Sequence, residues 1–472
     1  MSKRKDANKT KIERLERQVE NLQKRAYDSA STARRVESWK TQNSDPNIEV
    51  ANGLAITRNR ARDLRRNNSY ARKIITTWSS NVVGTGIIPT SDDEALLELF
   101  NQWADSTDCD ANGLTNFWGL QEQIIEAVVE SGECLVQKVY DKSKLIPLRL
   151  KILEGDHLDH TLTKPKEGIQ QGIKFDGTGN RTGYILFKSH PGSEGASTDT
   201  ITVPAEDLIH VFRIERPNQQ RGLTWLAPAI IELRKLKMFQ DARLERVSIA
   251  NLLAGIITDI NGDPTETTSD IELSPGALIS LPAGKDITFN TPPDPGQTSE
   301  FEKSLLRSIS SAVGLPYELL SNDFSESNFS SARMSANGFL MLIDCVRWNM
   351  FVPQFLDRVW NWFWLTAPLS GLYNAGPEEE GPPKVTWTMP RRILVDLVRE
   401  LPITIEAIRA GLTTPSEALR EFGYNPKLFF EEYKRDMDII EQLGLVLSSD
   451  CRKDAQRLKA LSDQQQKTAE PA

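Results

Sequence analysis

Residues 321–335, SNDFSESNFSSARMS, hold six serines, two asparagines and one arginine between apolar runs. A nucleophilic serine needs a base within about 3 Å and a third group to orient that base. The four histidines, His157, His160, His190 and His210, all lie at least 120 residues before Ser330. Neither a GxSxG elbow nor an SxxK motif surrounds Ser330 or Ser331, so a serine hydrolase is the weaker alternative. The other chemistry open to this stretch is weak contact with phosphates. The polar groups of Ser325, Ser327, Asn328, Ser330 and Ser331 would offer rotatable hydrogen bonds, with Arg333 as the only cation.

Other chemistry is less well supported. DHLDH brings Asp156, His157, Asp159 and His160 together, but a strand would place His157 and Asp159 on one face and His160 on the other. Surface polar residues are therefore expected there, with no metal. The segment around LPAGKD misses a phosphate-cradling loop twice, having Ile279 in place of the first glycine and Asp286 in place of the hydroxyl. GTGN at 177–180 lacks the third glycine of a dinucleotide fingerprint and reads as a hairpin turn. No cofactor and no enzymatic activity are expected. Cys109, Cys134, Cys345 and Cys451 form no CxxC pair, which fits reduced thiols in a cytoplasmic compartment.

The 472 residues suffice for several subregions. No 18-residue apolar run suggests a membrane span, and the charged start does not read as a secretory signal. The net charge of −8 is unevenly spread. Residues 1–80 carry 19 Lys and Arg against 9 Asp and Glu, which leaves −18 for the remainder. An acidic body implies weak contact with nucleic acid, because phosphate affinity comes from cations that displace counterions. The basic exception includes Arg58, Arg60, Arg62, Arg65 and Arg66, on a run over 58–80 that reads as helix following helix. This patch suits a nucleic-acid face, a solvated face or a subunit contact.

The elements that must position these residues are mainly helical, in an α+β chain. Ile12, Leu15, Val19, Leu22 and Ala26 make a short heptad pattern, and TQNSDPN reads as a linker. Helical spacing recurs over Glu94–Trp103 and Leu120–Glu133. From residue 134 β-branched and aromatic alternation predicts four to six strands. Helices follow over about 226–254 and 299–313, with strands near Leu278 and Ile287 between them. Residues 336–365 read as an apolar helix or helix pair, interrupted and kinked at Pro353. In TPSEALREFG, Thr414 is the N-cap, Pro415 the first helical residue, Glu417 a capping-box partner and Gly423 the stop. Asn425 and Pro426 open another helix, and the tail after about 463 reads as disordered. AGLTTPSEALREFGYN also looks superficially like a helix-turn-helix, a second alternative.

Several blocks in a fixed order resemble the lambda family of bacteriophage portal proteins. They are RNNSYARKIITTWSSNVVGTGI (66–87), HVFRIERPNQQRGLTWLAPAI (210–230), DARLERVSIANLLAGI, LSPGALISLPAGKDI, GLPYELLSNDFSESNFSSAR and AIRAGLTTPSEALREFGYN. The resemblance implies a ring, usually of twelve copies, at one capsid vertex, through which double-stranded DNA is packaged and ejected. It implies a terminase large subunit, head-completion or connector proteins, and major capsid or scaffold protein as partners, with no membrane. The location would be the virion, with the host cytoplasm during assembly. By the same resemblance, residues 51–225 would be a wing, 226–255 and 299–315 two stem helices, and 256–298 a clip. Residues 316–335 would be a tunnel loop, 336–390 further wing helices and linker, and 391–462 a helical crown, while an N-terminal extension, 1–50, and a disordered tail, 463–472, lie outside the resemblance.

Overall fold

The computed structural model describes residue 14 and residues 43–252, 256–259, 285–288, 295–326, 328–374, 381–390 and 397–445. The heptad pattern at 12–26, apart from Arg14, the strand expected near Leu278 and the tail fall outside these. The chain divides into two units, Met1–Glu49 and Val50–Ala472.

Helix α1, Pro46–Asn67, begins behind Asp45, whose carboxylate accepts from the Asn47 N–H. Helix α2, Ser69–Val82, is separated from it by Asn68, whose side chain accepts from the Ala71 N–H at 3.0 Å and donates to the Leu233 carbonyl. The run over 58–80 is thus helix following helix, as expected, with the Asn68 cap between the two. Strand β1 (Ile88–Ser91) leads to helices α3 (Glu94–Asp105) and α4 (Phe117–Ser131), which are capped by Asp93 and Asn116. Helix α4 ends at Gly132, whose φ of 93° favours a residue without Cβ.

Seven strands follow, one more than the expected upper figure, because two are too short to stand out in sequence. They are β2 (Glu133–Tyr140), β3 (Leu148–Glu154), β4 (Ile169–Gln170), β5 (Ile173–Phe175), β6 (Arg181–Phe187), β7 (Thr200–Pro204) and β8 (Leu208–Phe212). They form two antiparallel sheets, ordered β3-β2-β8 and β4-β5-β6-β7. The GTGN turn does join β5 to β6, anchored by Asp176, which accepts from the Thr178 and Asn180 N–H groups. DHLDH is not a strand: β3 stops at Glu154 and Gly155–His157 form a single 3₁₀ turn.

Helix α5 (Ile230–Leu252) and helix α6 (Pro295–Val313) flank a short antiparallel pair, β9 (Ile256–Asp259) and β10 (Lys285–Thr288). The helices run side by side, with Phe239 and Phe301 at 5.2 Å between ring centroids and Arg243 paired with Glu302 at 3.3 Å. Leu233 and Leu236 are buried in the core, whereas Met238 and Leu244 are exposed, so α5 leaves the core after its first two turns.

Helix α7 (Tyr317–Ser321) precedes helix α8 (Phe329–Val346). A π-helical segment, Arg347–Leu356, then continues into helix α9 (Asp357–Thr366). The interruption expected at Pro353 is not a break. Wider turns accommodate a residue that cannot donate its backbone hydrogen bond, and the chain stays helical through it. Strand β11 (Val385–Thr388) pairs with β1, and helices α10 (Leu397–Arg409), α11 (Pro415–Glu421) and α12 (Pro426–Gln442) complete the chain. Thr414 and Asn425 cap α11 and α12 as expected, and Gly423 has a φ of 75°. Glu417 pairs with Arg420.

The core is helical and aromatic. Trp78 meets Trp225 and Phe339 edge-on at 4.9 and 5.2 Å, and Phe100 is surrounded by Trp103, Phe117, Trp360 and Phe363. Fully burying such side chains stabilises by roughly 1.5–3 kcal/mol each. A smaller cluster, including Leu135, Leu158, Tyr184 and Leu186, fills the space between the two larger sheets. Trp360 and Trp362 are buried, while Trp348 is half exposed. Among the described residues no helix is long and apolar enough to cross a membrane.

Candidate nucleic-acid interface

The polar stretch 321–335 begins from a fixed base. Helix α6 ends with the Val313 carbonyl accepting from the Trp78 indole at 3.1 Å, and Gly314 turns the chain with a φ of 70°. Leu315 and Leu320 are buried, which holds α7 against the core. Asn322, at a φ of 56°, stops α7, and its N–H donates to the Glu318 carbonyl.

Beyond it the loop is shorter than expected. Asp323 organises a tight turn: its carboxylate accepts from the Ser325 N–H at 3.1 Å, the Ser325 hydroxyl at 2.6 Å and the Tyr317 hydroxyl at 3.2 Å. The hydrogen bonds from Ser325 hold its carboxyl below the usual range. Glu326 next reaches back to α6, with one oxygen 2.5 Å from Lys303 Nζ and the other 2.8 Å from Arg307 Nη2. These contacts hold the Glu326 carboxyl down, and the Lys303 ammonium up, relative to their ordinary values.

Asn328 then starts α8. Its side chain accepts from the Ser331 N–H at 2.8 Å, while the Ser331 hydroxyl accepts from the Asn328 N–H at 3.2 Å and donates to the Asn328 carbonyl. This is a reciprocal cap. Ser330, Ser331 and Arg333 are therefore helical, not loop residues. The asparagine and serine three residues apart, just before an apolar run, were a signal legible in the sequence. Among the channel candidates, Ser325, Asn328, Ser330 and Ser331 are exposed, and Ser327 lies outside the described residues. Arg333 pairs with Glu400 on α10 at 3.1 Å, so the one cation of the stretch is already engaged. The Ser331 hydroxyl is held in the cap and is not poised as a nucleophile.

The basic patch has a different fate. Arg58 is 2% exposed and donates to Glu133 at 2.6 Å; Arg62 pairs with Glu154 and Asp156; Arg65 pairs with Glu126 and Glu130. Three of the five arginines thus bind α1 to α4 and the sheet region, leaving Arg60 and Arg66 exposed. A nucleic-acid face built on all five does not survive. Periodicity had no access to carboxylates 61 to 94 residues away.

The residue missed altogether is Glu133. Fully buried, it accepts from Arg58, Arg221, His210 and the Gly222 N–H, while Arg221 also reaches the carbonyls of Gly155, Leu158 and Gln171. Burial alone would push the Glu133 carboxyl up, but Arg221, His210 and Arg58 hold it well below the carboxylate range. Burial also pushes His210 down to about 4, against the pull of Glu133. Neutral His210 therefore donates from Nε2 to Glu133.

Glu154, Asp156 and His190 place potential metal-ligand atoms within 4.8 Å of one another. Arg62 occupies the position a cation would take, at 2.8 Å from Glu154 and 2.6 Å from Asp156, with Arg58 at 3.2 Å from Asp156. Asp156 is accordingly an ion-pair partner, not the solvated surface residue expected.

The family model for "Phage portal protein, lambda family" matches residues 32–347, two thirds of the chain. The chain belongs to that family. The match opens before the first block of the resemblance and closes at the start of the π-helical segment. The probable portal protein of Halomonas phage phiHAP-1 is 24% identical over 458 residues, covering 89% of this chain and 88% of its own. The portal protein of Escherichia phage N15 is 22% identical over 447 residues, covering 80% and 83%. Among solved structures, a neck of a native gene transfer agent particle computed with C12 symmetry is 15% identical, with a TM-score of 0.44, covering 77% of this chain and 93% of that one. In this portal-family chain, the block HVFRIERPNQQRGLTWLAPAI contains both His210 and Arg221, two of the groups around Glu133.

Proposed function

We propose that this portal-family chain assembles into a closed ring, usually of twelve copies, at one capsid vertex and forms a conduit for double-stranded DNA during packaging and ejection. A terminase large subunit would dock first, followed by head-completion or connector proteins, with capsid or scaffold protein around the ring. Assembly would take place in the host cytoplasm. In this reading α5 and α6 are the stem, β9 and β10 belong to the clip, the segment after α6 faces the channel, and α10–α12 form the crown.

The observation that carries the reading is the state of α10–α12. Among described residues 400–445 only Ala418 and Met437 are buried, while Ile403, Leu412, Leu428, Phe430 and Ile439 are exposed. Contacts of this region with the rest of the chain include Asn425 to Thr90, Lys427 to Glu94 and Arg333 to Glu400. Apolar faces left open beside a well-packed core call for a partner. Identical neighbours around an axis would supply one to every copy. The acidic body supports the conduit, because a ring of net negative charge has little overall hold on phosphates passing through it.

Electron microscopy of the purified chain tests the proposal. Closed rings are expected, and a chain that remains monomeric over a wide range of concentration and salt would overturn it. No specific observation favours the hydrolase or helix-turn-helix readings.

A further inference from the structure

We propose that Glu326 masks a latent phosphate-binding pair formed by Lys303 and Arg307. This inference rests on the reading above, in which the segment after α6 meets DNA. The two cations stand one turn apart on α6, a spacing that puts both side chains on one face. Each takes a different oxygen of the same carboxylate, at 2.5 and 2.8 Å. A phosphate diester presents two non-bridging oxygens in a similar arrangement and accepts the same charge-assisted bonds.

The mask is built into the turn. Asp323 fixes Ser325 and accepts from Tyr317, and the Arg307 guanidinium lies 5.3 Å from the centre of the Tyr317 ring. The base of the loop and one cation are therefore held by the same tyrosine. Glu300 adds a further carboxylate 3.8 Å from Lys303. The site is open to solvent, with the Glu326 side chain 55% exposed and that of Arg307 50%. Exposed ion pairs are weak and exchangeable, so a polyanion could compete for both cations if the carboxylate were not tethered beside them. Without Glu326, each subunit of a ring would offer two cations to the passing backbone, and their combined hold would oppose sliding.

The test uses the full-length assembled protein and a labelled 30-base-pair duplex, with affinity measured by fluorescence anisotropy across a salt series. Glu326→Gln should bind DNA about tenfold more tightly at low salt. Its log–log salt dependence should steepen by roughly one to two, since each neutralised phosphate contributes about 0.9. Adding Lys303→Gln and Arg307→Gln to that variant should return affinity and slope to the wild-type values. Unchanged DNA affinity in Glu326→Gln, or a gain that survives removal of both cations, would overturn the mask. Glu326→Ser should reproduce the gain, which separates loss of charge from any effect of the glutamine. Failure to form rings in the same preparations would count against the conduit, whereas intact rings with unchanged affinity would count only against the mask.

Discussion

Arg58 of α1 and Glu133 at the start of β2 meet at 2.6 Å with neither side chain more than 3% exposed, although 75 residues separate them. Arg221 and His210 close on the same carboxylate, so one acidic side chain joins a helix, two strands and the turn before α5. Removing its charge leaves the buried Arg221 without a carboxylate and Arg58 with Asp156 alone, at 3.2 Å. Glu133→Gln should lower the unfolding free energy by about 3–5 kcal/mol. Glu154→Gln, at a half-exposed pair, should cost under about 1 kcal/mol. Urea unfolding of the two variants measures the contrast.

Stability should fall with acid in a defined window. His210 titrates near 4 in the folded chain, against about 6.5 for a free imidazole, so between these values the unfolded chain binds more protons. The contribution of neutral His210 is complete above about pH 6.5 and is lost as the pH falls toward 4, with a slope of up to ~1.4 kcal/mol per pH unit. Glu133, held below its ordinary value, adds a further loss below that window. His210→Gln can still donate to Glu133 but does not titrate, and should flatten the stability profile between pH 6.5 and 4.

Gly132 and Gly222 bring two backbone segments into contact. A Cβ on Gly132, at a φ of 93°, would stand 2.4 Å from the Leu223 carbonyl carbon, and one on Gly222 would stand 2.0 Å from the Gly132 oxygen. Gly132→Ala should destabilise by at least about 2 kcal/mol. Gly371 also has a positive φ, but its Cβ would meet open space, so Gly371→Ala should cost about 1–2 kcal/mol from conformation alone. Thermal midpoints of the two variants test the difference.

The start of α8 depends on Asn328. Asn328→Ala should remove about 1 kcal/mol from the first turn, seen as roughly fivefold faster hydrogen exchange at residues 330–333. Ser330→Ala should leave that exchange unchanged.

Ser325 and Ser330 are exposed on either side of the cap. If this surface lines the channel, lysines at both positions should preserve rings but reduce packaged DNA, measured as protected length in a packaging reaction. Full-length packaging by that variant would remove these residues from the DNA path.

The sequence made local events legible and left distant ones hidden. Thr414–Pro415, Asn425–Pro426 and the GTGN turn act through bonds within a few residues, and each appears where its chemistry predicts. Arg62 and Arg65 read as a basic face because their carboxylate partners on α4 and around β3 become neighbours only after folding. Glu133 left only a faint trace, a lone acid at the head of the apolar run CLV. The serine stretch failed for another reason. Its composition suggested one continuous loop, while the Asn328–Ser331 pair inside it was already writing the first turn of a helix.

The open faces of α10–α12 also bear on how the chain behaves before it has neighbours. A newly made copy would carry Phe430, Leu428 and Ile403 in water, and sticking at random would compete with orderly closure. If the proposed ring forms through these faces, folding and association become one equilibrium for this stretch, so its melting temperature should climb with protein concentration while the aromatic core around Phe100 keeps a fixed one.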